Sequence, residues 1–168
     1  KQDKSIFGTV AELGSVPKEF STALEIAAGN KVKSVVVDTD STAAKCIKYL
    51  KEKRLGVATF LPMNKIRAPI INSDIKNLQG PGIKGLAVDL IKFNAQYRKV
   101  FEYVFGSTLI VDDVSTARRI GIGKVRMVTM TGDIVETSGA MQGGYRQQRA
   151  TGLFGQEEVA KQIEKLQG

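Results

Sequence analysis

Residues 36–43 read Val-Val-Asp-Thr-Asp-Ser-Thr-Ala, and residues 110–117 read Ile-Val-Asp-Asp-Val-Ser-Thr-Ala. In each stretch a short β-branched run is followed by Asp, Ser and Thr, which cap helix N-termini, so each predicts a strand leading into a helix. A helical pattern that stops at glycine precedes both, at Gly29 and at Gly106. This order also occurs by chance in α/β proteins, but the matching helices favour an internal repeat of helix, strand, capped helix and strand.

The remaining apolar patterns predict the other elements. Helical spacing predicts one helix that begins at Pro17 and a second that begins near Asp38 and is closed by Gly56. The first half also predicts strands at residues 6–13, 34–37 and 57–61. Residues 69–85, rich in Asn, Gly and Pro, predict a linker. The second half predicts, in order, a strand at 86–91, a helix at 96–105, a strand at 108–111, a helix opening at 112–119, a strand at 125–129 and a hairpin turn at 131–133.

These elements predict a mixed α/β fold of two pseudo-repeated subdomains, residues 6–79 and 80–150, in which helices cover small sheets. Residues 1–5 are assigned to the end of an N-terminal coiled-coil arm, and residues 151–168 to the start of a C-terminal arm. In the second arm, apolar residues recur at coiled-coil spacing among Glu and Lys, at Val159, Ile163 and Leu166. Both ends are therefore expected to be trimmed parts of a longer protein.

Composition argues against an enzyme. The chain has no histidine, the commonest general base and transition-metal ligand, and Cys46 is its only cysteine. No apolar run reaches the roughly 18–20 residues that span a bilayer, and the first residues lack the pattern of a signal peptide. We therefore expect a cytoplasmic protein that holds neither a metal nor a cofactor.

Two groups of residues could still indicate chemistry. The pairs Asp38/Asp40 and Asp112/Asp113 follow strands, where carboxylates can bind Mg²⁺, and a phosphoryl-transfer enzyme using Asp38 or Asp112 is the alternative. The same positions open helices, so we favour capping. Three glycine-bearing segments lack the spacing of a phosphate or dinucleotide loop, at residues 80–85, 121–124 and 139–144.

Several segments, in order, resemble one family. They include Gly-Thr-Val-Ala-Glu-Leu at 8–13, Ala-Leu-Glu-Ile-Ala-Ala-Gly-Asn at 23–30, Val-Val-Val-Asp at 35–38, Ala-Thr-Phe-Leu-Pro at 58–62, Phe-Gly-Ser-Thr-Leu-Ile-Val at 105–111 and Ser-Gly-Ala-Met-Gln-Gly-Gly at 138–144. Together these blocks run from about residue 6 to residue 145 and resemble the hinge domain of structural-maintenance-of-chromosomes (SMC) proteins. The opening block is more similar to the prokaryotic, homodimeric hinges than to the heterodimeric eukaryotic ones.

The resemblance implies a hinge that joins two coiled-coil arms by homodimerisation, with strands of one copy added to the sheet of the other at two equivalent contacts. Carried over to this chain, the contact residues are Gly139, Met141, Gly143 and Gly144. Ser138 and Asn30 stand where such hinges often have a further glycine. The parent would be an ATPase of chromosome condensation and segregation at the nucleoid, whereas this fragment would lack the ATPase head.

The charge predicts a polyanion partner. Lys and Arg number 25 against 17 Asp and Glu, a formal net charge of +8. We expect weak, sequence-independent DNA contact through basic residues at loops and helix ends: Lys31, Lys33, Lys84, Arg98, Lys99, Arg118, Arg119, Lys124, Arg126, Arg146 and Arg149. The alternative is a monomeric basic nucleic-acid-binding domain, which shares this charge but has no dimer contact.

Overall fold

In the computed structural model, which describes residues 5–145 and 154–156, each half of the chain places helices against a small sheet. The mixed α/β class is confirmed. The first half contains β1 (Ile6–Thr9), α1 (Val10–Leu13), β2 (Gly14–Val16), α2 (Ser21–Ala28), β3 (Val35–Val37), α3 (Asp40–Lys53) and β4 (Phe60–Pro62). Short stretches of 3₁₀ helix flank α2, at Lys18–Phe20 and Gly29–Lys33.

The second half follows a connection that contains α4 (Ser73–Lys76). Its elements are β5 (Ile83–Leu86), α5 (Ala87–Leu90), β6 (Lys92–Phe93), α6 (Arg98–Phe105), β7 (Leu109–Val111), α7 (Val114–Ile120) and β8 (Met127–Thr129). Three short strands come after them: β9 (Ile134–Val135), β10 (Met141–Gln142) and β11 (Gly155–Gln156). Within the described residues, no helix is long and apolar enough to cross a membrane.

The internal repeat is confirmed by the strand register. β1 runs antiparallel to β3 and β3 runs parallel to β4, and the same relations join β5, β7 and β8. Both antiparallel pairs are irregular at the same place, next to Gly8 in the first half and Gly85 in the second. These glycines have φ of +128° and +131°. Such angles favour glycine, because any other residue would have a Cβ atom that clashes with the backbone there. The helices α2 and α6 both end at a positive-φ glycine, as predicted.

The two halves share one core. Helix α2 of the first half contacts β8 and α6 of the second, and Leu24, Phe101 and Met127 are fully buried in the same cluster. A third sheet, in the order β11-β2-β6, adds a strand from each half and one from the C-terminal segment. Phe93 of β6 stacks on Phe101 at 4.5 Å between ring centroids. The halves therefore cannot separate without exposing apolar surface.

Two predicted strands are partly wrong: of residues 6–13 only Ile6–Thr9 is strand, and of residues 86–91 only Leu86 is, because β5 lies earlier in the chain than predicted. Residues 10–13 and 87–90 form the single helical turns α1 and α5 instead of continuing β1 and β5. In the first turn, the Thr9 hydroxyl accepts from the Glu12 N–H at 3.2 Å and the Glu12 carboxylate accepts from the Thr9 N–H at 2.8 Å. This capping box stabilises a helical start in an apolar run too short for its period to distinguish helix from strand.

Other predicted boundaries also shift. The first helix begins at Ser21, because Pro17 precedes the 3₁₀ stretch instead of opening the α-helix. Helix α3 ends at Lys53, and its C-cap is Arg54, in the left-handed region at φ +55°, two residues before the predicted stop at Gly56. The predicted strand at 57–61 starts only at Phe60. The predicted linker at 69–85 contains α4 and most of β5.

The C-terminal segment assigned to an arm begins on the body of the domain. Phe154 is 1% exposed and packs near Phe105, and β11 pairs in parallel with β2. The predicted coiled-coil positions after residue 156, like residues 1–4, lie outside the described residues. The division at residues 79 and 80 stays a prediction.

Candidate functional site

Strand β10 is an exposed sheet edge. It ends a five-stranded sheet in the order β10-β9-β8-β7-β5, and every residue from 137 to 145 is exposed. The Glu136 N–H donates to the Ala140 carbonyl at 2.8 Å, so alternation along an antiparallel pair points the N–H and C=O of Met141 away from β9. Within the described part of the chain nothing pairs with that side of β10. Such an edge can accept a further strand.

The glycines of this segment have reasons within the chain itself. Gly139 and Gly144 adopt φ of +98° and +145°, where an added Cβ would meet open space but the backbone favours glycine. A Cβ on Gly143 would collide with the carboxylate of Asp133. That carboxylate accepts from the Thr129 and Thr131 hydroxyls at 2.9 and 3.1 Å, which fixes it in the β8–β9 turn. Backbone angles at Gly139 and Gly144 and the Asp133 contact at Gly143 account for these glycines, and their assignment to a dimer contact stays a prediction.

A second open edge lies on the first half. Strand β8 pairs with β7 on one side and β9 on the other, whereas its counterpart β4 pairs with β3 alone among the described residues. Helix α3 lies against β4, and Ala43 is its one buried residue. Ile47 and Tyr49 on that helix are 43% and 55% exposed. The first half thus presents an unpaired strand beside a helix with exposed apolar side chains.

The carboxylates that follow the strands act in capping networks. The Asp113 carboxylate accepts from the Thr116 N–H at 2.9 Å and caps α7. The cap of α3 is Thr39 rather than Asp40, and Asp40 instead accepts from the Asn64 side-chain amide at 2.9 Å. No group of three or more His, Cys, Asp or Glu among the described residues could hold a metal ion. The geometry favours the capping interpretation over the Mg²⁺ alternative.

Hydrogen bonds lower the pKa of three of these carboxyls below the usual value of 3.8. The main donor is the Thr42 hydroxyl for Asp38, the Asn64 side chain for Asp40 and the Thr116 hydroxyl for Asp112. A depressed folded pKa contributes stability that is present above the unfolded pKa and is lost as pH falls through the folded pKa.

We expect urea unfolding midpoints to fall as pH decreases below about 4. In Asp112→Asn they should fall less steeply, because that variant has one fewer carboxyl whose pKa is lowered by folding. Midpoints measured between about pH 5 and pH 3 test this, with Asp74→Asn, whose side chain is exposed, as the control. Parallel pH profiles for the parent chain and Asp112→Asn would contradict the linkage.

The predicted DNA-contact residues lie on several different elements, and their role stays a prediction. Lys33, Lys84, Lys99, Arg118 and Lys124 are exposed on separate elements. Arg98 pairs with Asp89 at 3.6 Å and Glu102 at 3.0 Å, and Arg119 donates to the Pro81 carbonyl. These contacts use part of their charge within the chain. Arg146 and Arg149 lie outside the described residues.

Two of the predicted residues, Lys31 and Arg126, come together in a cleft between the halves. Arg126 donates to the Ala27 carbonyl at 3.1 Å, the Thr108 hydroxyl at 3.0 Å and the Glu136 carboxylate at 3.3 Å, so it joins α2 to the second half. Arg67 also lines the cleft. Sequence analysis missed Arg67, because it lies in an irregular connection with no periodicity to place it.

Comparison with known proteins identifies the fold. A family model of the flexible hinge domain of SMC proteins matches residues 3–121. The chromosome partition protein Smc of Methanocaldococcus jannaschii is 43% identical over 141 residues, which are 83% of this chain and 12% of that protein. An asymmetric dimer of the Geobacillus stearothermophilus SMC hinge domain gives a TM-score of 0.85 at 30% identity, covering 97% of this chain and 67% of that one. The Pyrococcus furiosus SMC hinge domain gives 0.72 at 40% identity, covering 88% and 78%.

This chain belongs to the SMC hinge family. It spans only about an eighth of the length of the curated relatives it matches, at 12% of the M. jannaschii protein. The matched region is the hinge, which carries no ATPase head. The resemblance stated from the sequence blocks is therefore confirmed.

Proposed function

We propose that this hinge domain is a homodimerisation device in which the β10 edge of one copy pairs with the β4 edge of the other. The observation that carries the proposal is the outward-facing backbone of Met141 on an unpaired edge strand. A twofold axis would repeat each β10–β4 contact, giving two equivalent contacts per dimer. The G. stearothermophilus hinge domain of the same family is described as a dimer, an asymmetric one, which supports dimerisation but not the twofold axis.

The internal repeat supports this choice of edges. In the second half, β9 pairs with the outer edge of β8. The equivalent edge of β4 has no paired strand within the described residues. Strand addition from a second copy would supply it and satisfy backbone groups on both edges. The same contact would bring apolar side chains, such as Met141, toward the exposed face of α3 beside β4. Burial of that apolar surface adds a driving force that backbone pairing alone lacks.

In the full-length protein, the dimer would join two coiled-coil arms of a chromosome condensation and segregation ATPase at the nucleoid. The relatives named as chromosome partition proteins support this role. The net charge of +8 supports additional, sequence-independent contact with DNA. The glycine-rich segment around β10 would lie at the dimer contact, through Gly139, Met141, Gly143 and Gly144. Its glycines would set the backbone conformation on either side of the edge strand.

The second candidate function is a monomeric basic nucleic-acid-binding domain, which the same positive charge favours. The two differ in solution mass. We expect sedimentation velocity at several concentrations to give twice the mass of a single chain, with dissociation only on strong dilution. A single-chain mass at all concentrations would reject the dimer and leave the monomeric domain, provided that the chain still binds DNA.

A further inference from the structure

We propose that the cleft between the two halves binds phosphate groups of a nucleic-acid backbone through Lys31 and Arg67. The inference rests on the proposed DNA contact and gives it a location that charge counting alone does not. The cleft is a cavity of about 600 Å³ where the C-terminal ends of α2 and α6 meet the connection between the halves. Its polar and charged lining comes mainly from Lys31, Arg67, Arg126, Tyr103, Ser107 and Thr108.

The cations of the cleft outnumber its negative groups. None of the described residues that line it is acidic, and neither Lys31 nor Arg67 makes an ion pair with another described residue. Glu136 offsets the charge of Arg126 from one side. The C-terminal ends of α2 and α6 each contribute at most about half a negative charge. The two remaining side-chain charges therefore leave the cleft net positive by about one unit.

Arg126 supplies a fixed donor among the residues that line the cleft. Its Nε and Nη1 atoms are held by Glu136, Ala27 and Thr108, while its Nη2 atom makes no hydrogen bond to the described residues. The side chain is 28% exposed. The hydrogen bonds of Nε and Nη1 fix the plane of the guanidinium group and so fix the direction of Nη2. A preorganised donor binds an oxyanion with less loss of conformational entropy than a mobile lysine does.

The aromatic ring in the cleft does not serve as a stacking platform. The Lys31 Nζ atom lies 4.8 Å from the centroid of Tyr103, so the ammonium covers one ring face. Gly29 also lines the cleft without a side chain, and a Cβ there would meet no atom within 4 Å. Contact should therefore be with phosphates rather than bases, and binding should show no sequence preference.

The test compares two double charge reversals at equal net charge. Lys31→Glu with Arg67→Glu changes the cleft, and Lys51→Glu with Lys76→Glu changes exposed positions on α3 and α4 that neither line it nor belong to the predicted DNA contacts. Binding of a labelled single-stranded oligonucleotide is followed by fluorescence anisotropy over a range of salt concentrations. We expect the cleft variant to lose about 1.4 units of the log–log salt slope, roughly 0.7 for each phosphate contact, and the control to keep its slope.

Equal slopes in both variants would overturn the cleft assignment while leaving DNA contact intact. Failure of the unaltered chain to bind the oligonucleotide at low salt would overturn the DNA contact as well. Sedimentation of each variant separates loss of dimer from loss of binding. If the glutamate variant sediments as single chains, Lys31→Gln with Arg67→Gln must show a slope loss of the same sign.

A calorimetric titration with inorganic pyrophosphate distinguishes the source of the phosphate. We expect pyrophosphate to bind weakly and to compete with the oligonucleotide. Tight pyrophosphate binding that leaves oligonucleotide binding unchanged would assign the cleft to a free anion and overturn the proposal.

Discussion

Met141→Pro is expected to shift the chain from dimers to folded single chains. Proline lacks the N–H that Met141 directs away from β9, so each β10–β4 contact loses at least one hydrogen bond. A net loss of about 0.5–1.5 kcal/mol per bond, doubled by the twofold axis, raises the dimer Kd by at least about fivefold. The proline ring also blocks close approach of the partner strand. Sedimentation equilibrium over a concentration series measures the change.

The matched control is Met141→Ala, which keeps the N–H and removes the side chain. We expect it to raise the Kd less than proline does, since it loses apolar contact but no backbone bond. Circular dichroism establishes that both variants remain folded, as they should because the outward N–H makes no bond to any of the described residues. A folded proline variant with an unchanged Kd would place the dimer contact elsewhere. The glycines suit this test less well, because their backbone angles and the Asp133 contact make substitutions there disruptive in a single chain.

Phe154→Ala is expected to lower the free energy of unfolding by about 3–5 kcal/mol, the usual effect of truncating a buried aromatic side chain. Phe154 is 1% exposed, and its ring centroid lies 6.4 Å from that of Phe105. Urea unfolding at one fixed chain concentration measures the loss, because dimerisation makes apparent stability depend on concentration. Ile70→Ala, at a residue 98% exposed, is the control and should change stability by less than about 0.5 kcal/mol.

Two truncations test the same segment. A chain ending at Gln156 keeps β11 and should retain the stability of the full chain, since the coiled-coil segment predicted after it would be marginal alone. A chain ending at Leu153 loses Phe154 and β11 and should be destabilised at least as much as Phe154→Ala. Equal stability of the two truncated chains would show that residues 154–156 contribute little to the body.

Local signals predicted much of the fold. The repeat was readable from residues 36–43 and 110–117 because caps and glycine stops act within a few residues of the positions that carry them. The strand predicted at 6–13 is too long and the one predicted at 86–91 lies too late in the chain, because a short apolar run does not distinguish a helical turn from a strand. Gly56 is the predicted end of α3, but the helix ends before Arg54, which adopts a left-handed conformation. Nothing in the sequence indicates this conformation, because it is uncommon for residues other than glycine.

Tertiary contacts set the limits for the candidate site. Arg126 was predicted as a surface cation, yet it bonds a carbonyl 99 residues earlier in the chain. Arg67 lines the cleft because of how the connection between the halves folds, which local sequence does not reveal. Phe154 was assigned to a coiled-coil arm, because its burial depends on contact with Phe105 of α6, far away in the sequence. The edge position of β10 likewise depends on pairing along β7, β8 and β9. The sequence predicts the net charge of the chain, but it does not predict which basic side chains form ion pairs within the fold.

The small sheet β11-β2-β6 determines how a pulling force on the chain after Gln156 would enter the domain. β11 pairs with β2 over two residue pairs, Gly155 with Ser15 and Gln156 with Val16, so its hydrogen bonds alone offer little resistance. The buried ring of Phe154, immediately before β11, anchors the strand more strongly than those bonds do. Because β2 and β6 come from different halves, tension that enters through β11 can pass to the first half along β2 and to the second half across the β2–β6 pairing.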